Sequence, residues 1–278
     1  MNDAAEQLSS AVLYGIEMAR ERISNRQIAV LTGAGISTDS GIPDYRGAGR
    51  TPRHPMTFDS FMGSIDAQRR YWARSYVGFS RISDALPNQG HFALARAEKV
   101  GQIAGIVTQN VDGLHQAAGS AKVIDLHGRL DRVICMSCRK LISRSDLDAQ
   151  IEELNPNLSK DQQIEFTPDG DAEIEATSDF RIPVCLNCKG TLKPDVVFFG
   201  ESVPIERVES ANRIFDSAPI LLVAGTSLAV NSGLRFVRAA AKAGREIIIV
   251  NLGESKADHL AIAKIEANTS QVLDRLLK

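Results

Sequence analysis

The sequence predicts an α/β protein: a parallel sheet covered by helices on both faces, with a small metal-binding module inserted into it. Three observations carry that expectation. Short apolar, β-branched runs alternate with helical patterns along most of the chain; the first run leads directly into Gly33-Ala34-Gly35; and the four cysteines fall into two Cys-x-x-Cys pairs, Cys135 with Cys138 and Cys185 with Cys188. Strands that are apolar at every position, rather than at alternate ones, belong to sheets buried on both faces.

Taken in order, residues 3 to 22 read as an amphipathic helix with Leu8, Val12, Ile16 and Ala19 on one face. A buried strand follows at 27 to 32. Further strand-like runs stand at 103 to 108, 123 to 126, 194 to 199, 219 to 224 and 246 to 250, and helical patterns at 89 to 100, 203 to 217 and 229 to 243 separate several of them. Residues 42 to 57 carry three prolines without periodicity, which predicts a long loop. Residues 139 to 184 hold eleven acidic against five basic side chains and read as the outlying, partly mobile part of the inserted module. There is no internal repeat.

Composition narrows the partners. The 278 residues include 32 basic and 34 acidic side chains, a net charge of −2, so no global basic field draws nucleic acid. The longest apolar runs, Pro219 to Ala224 and Ile247 to Val250, are far too short to cross a bilayer. The first residues, Met-Asn-Asp with Glu6 and Glu17 beyond, lack a basic segment followed by an apolar one, so a cytoplasmic location is expected.

In such a compartment thiols stay reduced, and paired Cys-x-x-Cys knuckles read as metal ligands rather than disulfides. A two-residue spacer turns both sulfurs towards one point, and two knuckles complete a tetrahedral thiolate site for Zn2+. An iron–sulfur cluster or redox dithiols compete with that reading. Four cysteine ligands leave no position open for catalysis, so the zinc is expected to hold structure.

Glycines after a strand let backbone N–H groups approach a diphosphate. The third glycine of the dinucleotide pattern falls due at residue 38, where Thr38 stands, so the motif is incomplete. Val223-Ala-Gly225-Thr226-Ser227 and Val250-Asn251-Leu252-Gly253 also end strands in small or hydrogen-bonding residues. All three segments belong at the carboxyl edge of the sheet, where open parallel sheets bind ligands.

Several longer segments point to one family. Gly33-Ala-Gly-Ile-Ser-Thr-Asp-Ser-Gly-Ile-Pro-Asp-Tyr-Arg46, Thr108-Gln-Asn-Val-Asp-Gly-Leu-His115 and Leu126-His-Gly128 resemble the sirtuins, NAD-dependent protein deacylases. The cysteine pairs, Lys193-Pro-Asp-Val-Val-Phe-Phe-Gly-Glu201, Gly225-Thr-Ser-Leu228 and Asn251-Leu-Gly253 follow in the family's order, and the likeness spans about residues 12 to 277. Arg70-Tyr-Trp-Ala-Arg74 is most similar to the class II branch, which includes the lipoamidase-type mitochondrial sirtuin and bacterial relatives.

The resemblance implies a Rossmann-like NAD-binding domain from residues 1–130 and 190–278, a zinc-binding module at 131–189, and a cofactor-binding loop with an adjoining helical segment at 42–70. NAD and an acyl-lysine protein substrate enter the cleft from opposite sides. The acyl oxygen attacks the ribose carbon that bears nicotinamide, a base activates a ribose hydroxyl, and water completes release of the amine and O-acyl-ADP-ribose. By the same resemblance Gly33, Ala34, Gly35, Ser37, Asp44, Tyr45 and Arg46 meet the cofactor, with Gln109, Asn110, Val111 and Asp112 at the ribose and nicotinamide. Gly225, Thr226, Ser227, Asn251, Leu252, Gly253 and Thr269 lie along the adenosine half. Val196, Val197, Phe198, Phe199, Gly200 and Glu201 form an extended edge for the peptide.

A base that titrates near neutrality favours histidine. His54 falls in the polar loop and His259 in the expected terminal helix, while His91 opens a helix and His115 ends a turn. His127 ends an apolar strand beside Gly128, at the ligand edge, and matches the family's base; Asn110 and Asp112 complete the catalytic group. Tyr71 and Arg74, three residues apart, share a helix face, and a phenol with a guanidinium would suit an acyl chain ending in a carboxylate. Competing readings are an ADP-ribosyltransferase of the same family, an NAD-dependent dehydrogenase with structural zinc, and a zinc-ribbon binding module.

Overall fold

The computed structural model describes residues 8–44, 56–158 and 178–278. Tyr45, Arg46 and His54 lie outside them. Within the described residues the strands are β1 (Ile28–Thr32), β2 (Ile103–Thr108), β3 (Val123–Asp125), β4 (Gly128–Cys135), β5 (Leu141–Ser143), β6 (Leu192–Val196), β7 (Ile220–Ala224), β8 (Glu246–Val250) and β9 (Ala263–Ile265). The helices are α1 (Ser10–Ile23), α2 (Phe58–Gly63), α3 (Ile65–Ser83), α4 (Gln89–Lys99), α5 (Leu114–Ala117), α6 (Arg144–Leu154), α7 (Ile205–Asp216), α8 (Asn231–Lys242) and α9 (Thr269–Leu276). Ser9, Ser64, Asn88, Ser143 and Asn268 start their helices by accepting a backbone N–H of the first turn, satisfying donors that the helix itself leaves open.

The main sheet runs β3-β2-β1-β7-β8-β9 and every pairing in it is parallel. All five residues of β1 and of β7 are buried, as their uninterrupted apolar sequences require. One apolar layer joins the sheet to α1, α4 and α9 through Ile16, Leu94 and Leu273; the other joins it to α7 and α8 through Phe215 and Val237. Strand order reverses between β1 and β7, so the chain leaves these two neighbours in opposite directions and opens a crevice at their carboxyl ends.

A second sheet, β5-β4-β6, is antiparallel. Here the expectation needs correction: the apolar run at 194 to 199 does not join the parallel sheet. Its first residues belong to β6 beside β4, and beyond Val196 the chain leaves the strand. An apolar run fixes burial but not direction or partner. The negatively charged stretch read as outlying also contains α6, whose Arg144, Leu147 and Ile151 are buried. The Arg144 guanidinium bonds Asp148 at 2.8 Å and the Ser75 carbonyl at 2.8 Å, and lies 4.2 Å from the Phe79 ring, so the module is fastened to α3. His259 stands in a single 3-10 turn, Asp258–Leu260, and not in the terminal helix, which begins only at Thr269.

Helix α3 carries Trp72, fully buried, whose indole N–H donates to the Leu192 carbonyl at 3.2 Å. Phe61, Tyr71 and Phe198 pack ring to ring at 5.2–5.4 Å, joining α2 and α3 to the segment after β6.

Candidate active site

The expected cofactor residues gather at the carboxyl ends of β1, β2, β3, β7 and β8. After β1 the chain makes two 3-10 turns, Ala34–Ile36 and Thr38–Ser40, and Gly41 closes the second at φ 81°. The full helix of the dinucleotide pattern is absent here, which accounts for Thr38 in the third glycine's place. The glycines have a tertiary reason as well. A Cβ on Gly33 would stand 2.6 Å from the Thr226 Cβ, and one on Gly225, at φ 65°, would stand 2.4 Å from the Ile36 nitrogen. Two strand-end loops therefore interlock, and Gly35 N–H donates to the Gly225 carbonyl at 2.8 Å.

Ser37, fully buried, is the centre of a polar cluster. Its hydroxyl donates to Asp112 Oδ2 at 2.7 Å and accepts from Asn110 Nδ2 at 3.0 Å. Asp112 Oδ1 in turn accepts the Leu114 N–H at 2.9 Å. Behind Ser37 stands His91. Its Nδ1 accepts the Asn88 N–H at 3.3 Å, so its proton is on Nε2, 3.5 Å from the serine oxygen. Burial pulls the His91 imidazole down to about 4, with Asp112 opposing. His115 lies 4.9 Å from it ring to ring and 2.9 Å from the Thr32 hydroxyl; burial, then the neighbouring His91, holds it well below the usual histidine value. Both histidines are thus neutral packing and hydrogen-bonding groups.

His127 differs. It is half-buried, follows β3, and its backbone carbonyl accepts the Val197 N–H at 2.8 Å. Nδ1 lies 2.9 Å from the Gln109 carbonyl oxygen, which can only accept, so Nδ1 holds the proton. Nε2 is left as an acceptor, 2.8 Å from the hydroxyl of Ser232 on the first turn of α8. Burial lowers the His127 pKa most, the Gln109 bond raises it, and Arg207 and Arg235 lower it further. The neutral imidazole with Nε2 as acceptor is the form a general base needs, and here the Ser232 hydroxyl occupies that acceptor.

Gln109 Nε2 donates to Thr226 Oγ1 at 3.0 Å, which joins the β2 and β7 ends. Thr269 donates to the Gly35 carbonyl at 3.0 Å, and Asn251 closes its own loop by donating to the Leu252 and Gly253 carbonyls, both at 3.1 Å. Leu252 projects outward, 74% exposed. Ala34 and Asp44 are half-buried in the first loop, Ser227 is half-buried after β7, and Val111 is buried beside Leu114 and Val196. Ser232 and Thr32 were not legible as site residues, because each meets its histidine across a long stretch of chain; the Ser232–His127 pair is 105 residues apart and the Thr32–His115 pair 83.

The four cysteine sulfurs lie within 4.8 Å of one another, with Cys135 and Cys188 at 3.5 Å and Cys138 and Cys185 at 3.8 Å. A tetrahedron with metal–sulfur bonds of about 2.3 Å has edges of about 3.8 Å, so the set fits zinc. The two knuckles repeat one geometry. Arg139 N–H bonds the Cys135 carbonyl and Lys189 N–H the Cys185 carbonyl, at 3.0 and 2.7 Å, and both residues turn left-handed at φ 61° and 60°.

Tyr71 is buried against Phe61, Trp72 and Phe198, while Arg74 is half-buried one turn along α3. Of the expected peptide edge, Val196 and Phe198 are buried, Phe199 is 45% exposed, and Gly200 turns at φ 81°.

Comparison with known proteins agrees with this geometry. The family model described as Sir2 family matches residues 33–232. "NAD-dependent protein deacetylase 1" of Mycobacterium avium (strain 104) is 50% identical over 255 residues, covering 90% of each chain. "NAD-dependent protein deacetylase" of Xanthomonas campestris pv. campestris (strain 8004) is 50% identical over 254 residues, covering 90% of this chain and 86% of its own. Among solved structures, one described as "Sir2-p53 peptide-NAD+" superposes with a TM-score of 0.74 at 31% identity, over 92% of this chain and 94% of that one. Another, "Sir2 bound to acetylated peptide", gives 0.75 at 28% identity, over 94% and 96%.

Proposed function

The chain belongs to the Sir2 family and is an NAD-dependent protein deacetylase, and we propose that His127 is its general base. The observation that carries this is the tautomer: the Gln109 carbonyl holds the Nδ1 proton and leaves Nε2 to accept one. Asn110 and Asp112, braced by Ser37, orient the ribose and the nicotinamide amide. Gly33, Ala34, Gly35, Gly225, Thr226, Ser227 and Asn251 form the edge along the diphosphate and adenosine. NAD held by these residues would supply the electrophilic ribose carbon, with nicotinamide as the leaving group. Cys135, Cys138, Cys185 and Cys188 hold zinc as structure, since a metal with four protein thiolates has no place for substrate.

The segment Val196 to Glu201 receives the acylated peptide by strand addition. The Val197–His127 backbone bond, which holds this segment beside the base, supports that reading. Tyr71 meets the Phe198 ring edge-on at 5.2 Å, so an acyl chain passing this segment meets α3, where Arg74 would face an acyl carboxylate. In a cytoplasmic setting the partners are acyl-lysine proteins, with no nucleic acid and no membrane; no described helix is long and apolar enough to cross one.

Incubation with NAD and an acetyl-lysine peptide should release nicotinamide and deacetylated peptide in equal amounts, together with O-acetyl-ADP-ribose. Nicotinamide release with ADP-ribose left on protein, and no deacetylation, would favour the transferase. A panel of acetyl-, succinyl-, glutaryl- and lipoyl-lysine on one peptide tests the acyl pocket. Long or acidic groups should be removed at least as well as acetyl, and Arg74→Ala should slow the acidic ones selectively. Strong preference for acetyl, or an equal loss on all, overturns the acidic part.

A further inference from the structure

Lys193 is 2% exposed, a rare state for a lysine, and the reaction as derived does not use it. It stands on β6 just before the segment assigned to the peptide. Its ammonium donates to the Val196 carbonyl and, at 3.3 Å, to the Pro194 carbonyl. It pairs with Glu201 Oε2 at 2.9 Å, and the same oxygen accepts the Phe198 N–H at 2.9 Å. The Phe198 carbonyl accepts the Glu201 N–H at 3.0 Å, and the ammonium lies 4.5 Å from the centre of the Phe198 ring. One cation thus touches the beginning, middle and end of the 196–201 turn. Burial lowers the lysine pKa, and Glu201, then Asp195, oppose that loss.

A charge in this position costs desolvation that an apolar side chain of the same length would avoid. A methionine would fill the space against Phe198, but it could not join the Val196 carbonyl to the Glu201 carboxylate. What the lysine adds is a fixed course for the chain. Because Val197 N–H is bonded to the His127 carbonyl, that course also sets the distance from the turn to the base.

We propose that Lys193 is a positioning residue for the acylated peptide, holding Val196 to Glu201 in the shape that receives it. The inference rests on the reading of this segment as the peptide edge, and its test separates the two. In the wild-type protein, acetyl-lysine peptide should slow amide hydrogen exchange across 196–201. Absence of that protection overturns the peptide edge itself. In the free protein, Lys193→Met should speed exchange of the Phe198 and Glu201 amides by roughly tenfold or more, the loss of one charge-assisted contact. It should raise the peptide KM about tenfold, with the KM for NAD and kcat within about threefold. Lys193→Arg should restore the peptide KM, and Glu201→Gln, which keeps an acceptor for Phe198 but loses the charge, should raise it less. Where peptide protection is present, an unchanged peptide KM in Lys193→Met, or equal losses in the KM for NAD and kcat, overturns the positioning role. Should Lys193→Met fail to fold, the Glu201→Gln measurement decides by the same criteria.

Discussion

At the carboxyl edge of the parallel sheet, Gln109, Asn110 and His127 follow strands of a buried sheet, and their side chains already have partners within the protein, Thr226, Ser37 and the Gln109 carbonyl. In the cysteine module, four sulfurs stand on two turns beside a three-stranded sheet, all within 4.8 Å of one another. The first site rests on apolar burial behind it; the second gathers four thiols for the ion they would bind. A ligand site that must admit and release NAD is better built on a frame that does not depend on the ligand. A structural site gains most when its ligand is part of the fold.

That contrast is most severely tested at the metal. Cys185→Ala should reduce bound zinc from one per chain to none, and unfolding should begin in the small sheet, since structural zinc contributes on the order of 10 kcal/mol in small modules. Metal analysis and thermal unfolding check this, and an unchanged melting profile would place the module with the self-supporting region. His127→Ala removes the proposed base without removing frame. Turnover should fall by about 10²- to 10⁴-fold while NAD affinity, measured by calorimetry, changes little. Near wild-type kcat at neutral pH would exclude His127 as base.

Ser37→Ala takes one hydroxyl from between Asn110 and Asp112 and leaves both side chains short of a partner. It should weaken kcat/KM for NAD by roughly 10- to 100-fold, the equivalent of one buried unsatisfied group. An equal loss in thermal stability without any kinetic change would make the cluster structural only.

Two pH effects are smaller. His127 must be neutral to accept a proton, and its pKa is lowered, so activity should persist below pH 6.5 and fall only as pH drops through the lowered value. An acid limb centred above 6.5 would contradict the buried, Arg207- and Arg235-facing environment. His91, at about 4 in the folded protein against 6.5 in the unfolded chain, binds its proton more readily when unfolded. Its contribution to stability is therefore complete above 6.5 and is lost as pH falls from 6.5 towards 4. Chemical denaturation across that range should show the slope, and His91→Gln should reduce it, with His115 supplying part of what remains.

Much of this was legible in the chain. Residues 103 to 108 and 246 to 250 are strands at the expected limits, and 89 to 100 and 203 to 217 are helices within two residues of theirs. Such runs are local: burial on both faces demands continuous apolar sequence, and helical periodicity needs no partner to be seen. The paired cysteines were legible for the same reason, because a two-residue spacer already aims both sulfurs at one point.

Tertiary structure decided the rest. It assigned the run beginning at 194 to an antiparallel sheet, since an apolar run states that a strand is buried but not which strand lies beside it. It gave Gly33 and Gly225 a second necessity, the close approach of two loops almost two hundred residues apart in sequence. It chose the His127 tautomer by placing the Gln109 carbonyl on one nitrogen and Ser232 on the other. A side chain's chemistry is written in the sequence, but the atom it presents depends on neighbours that only the folded chain brings within hydrogen-bond distance.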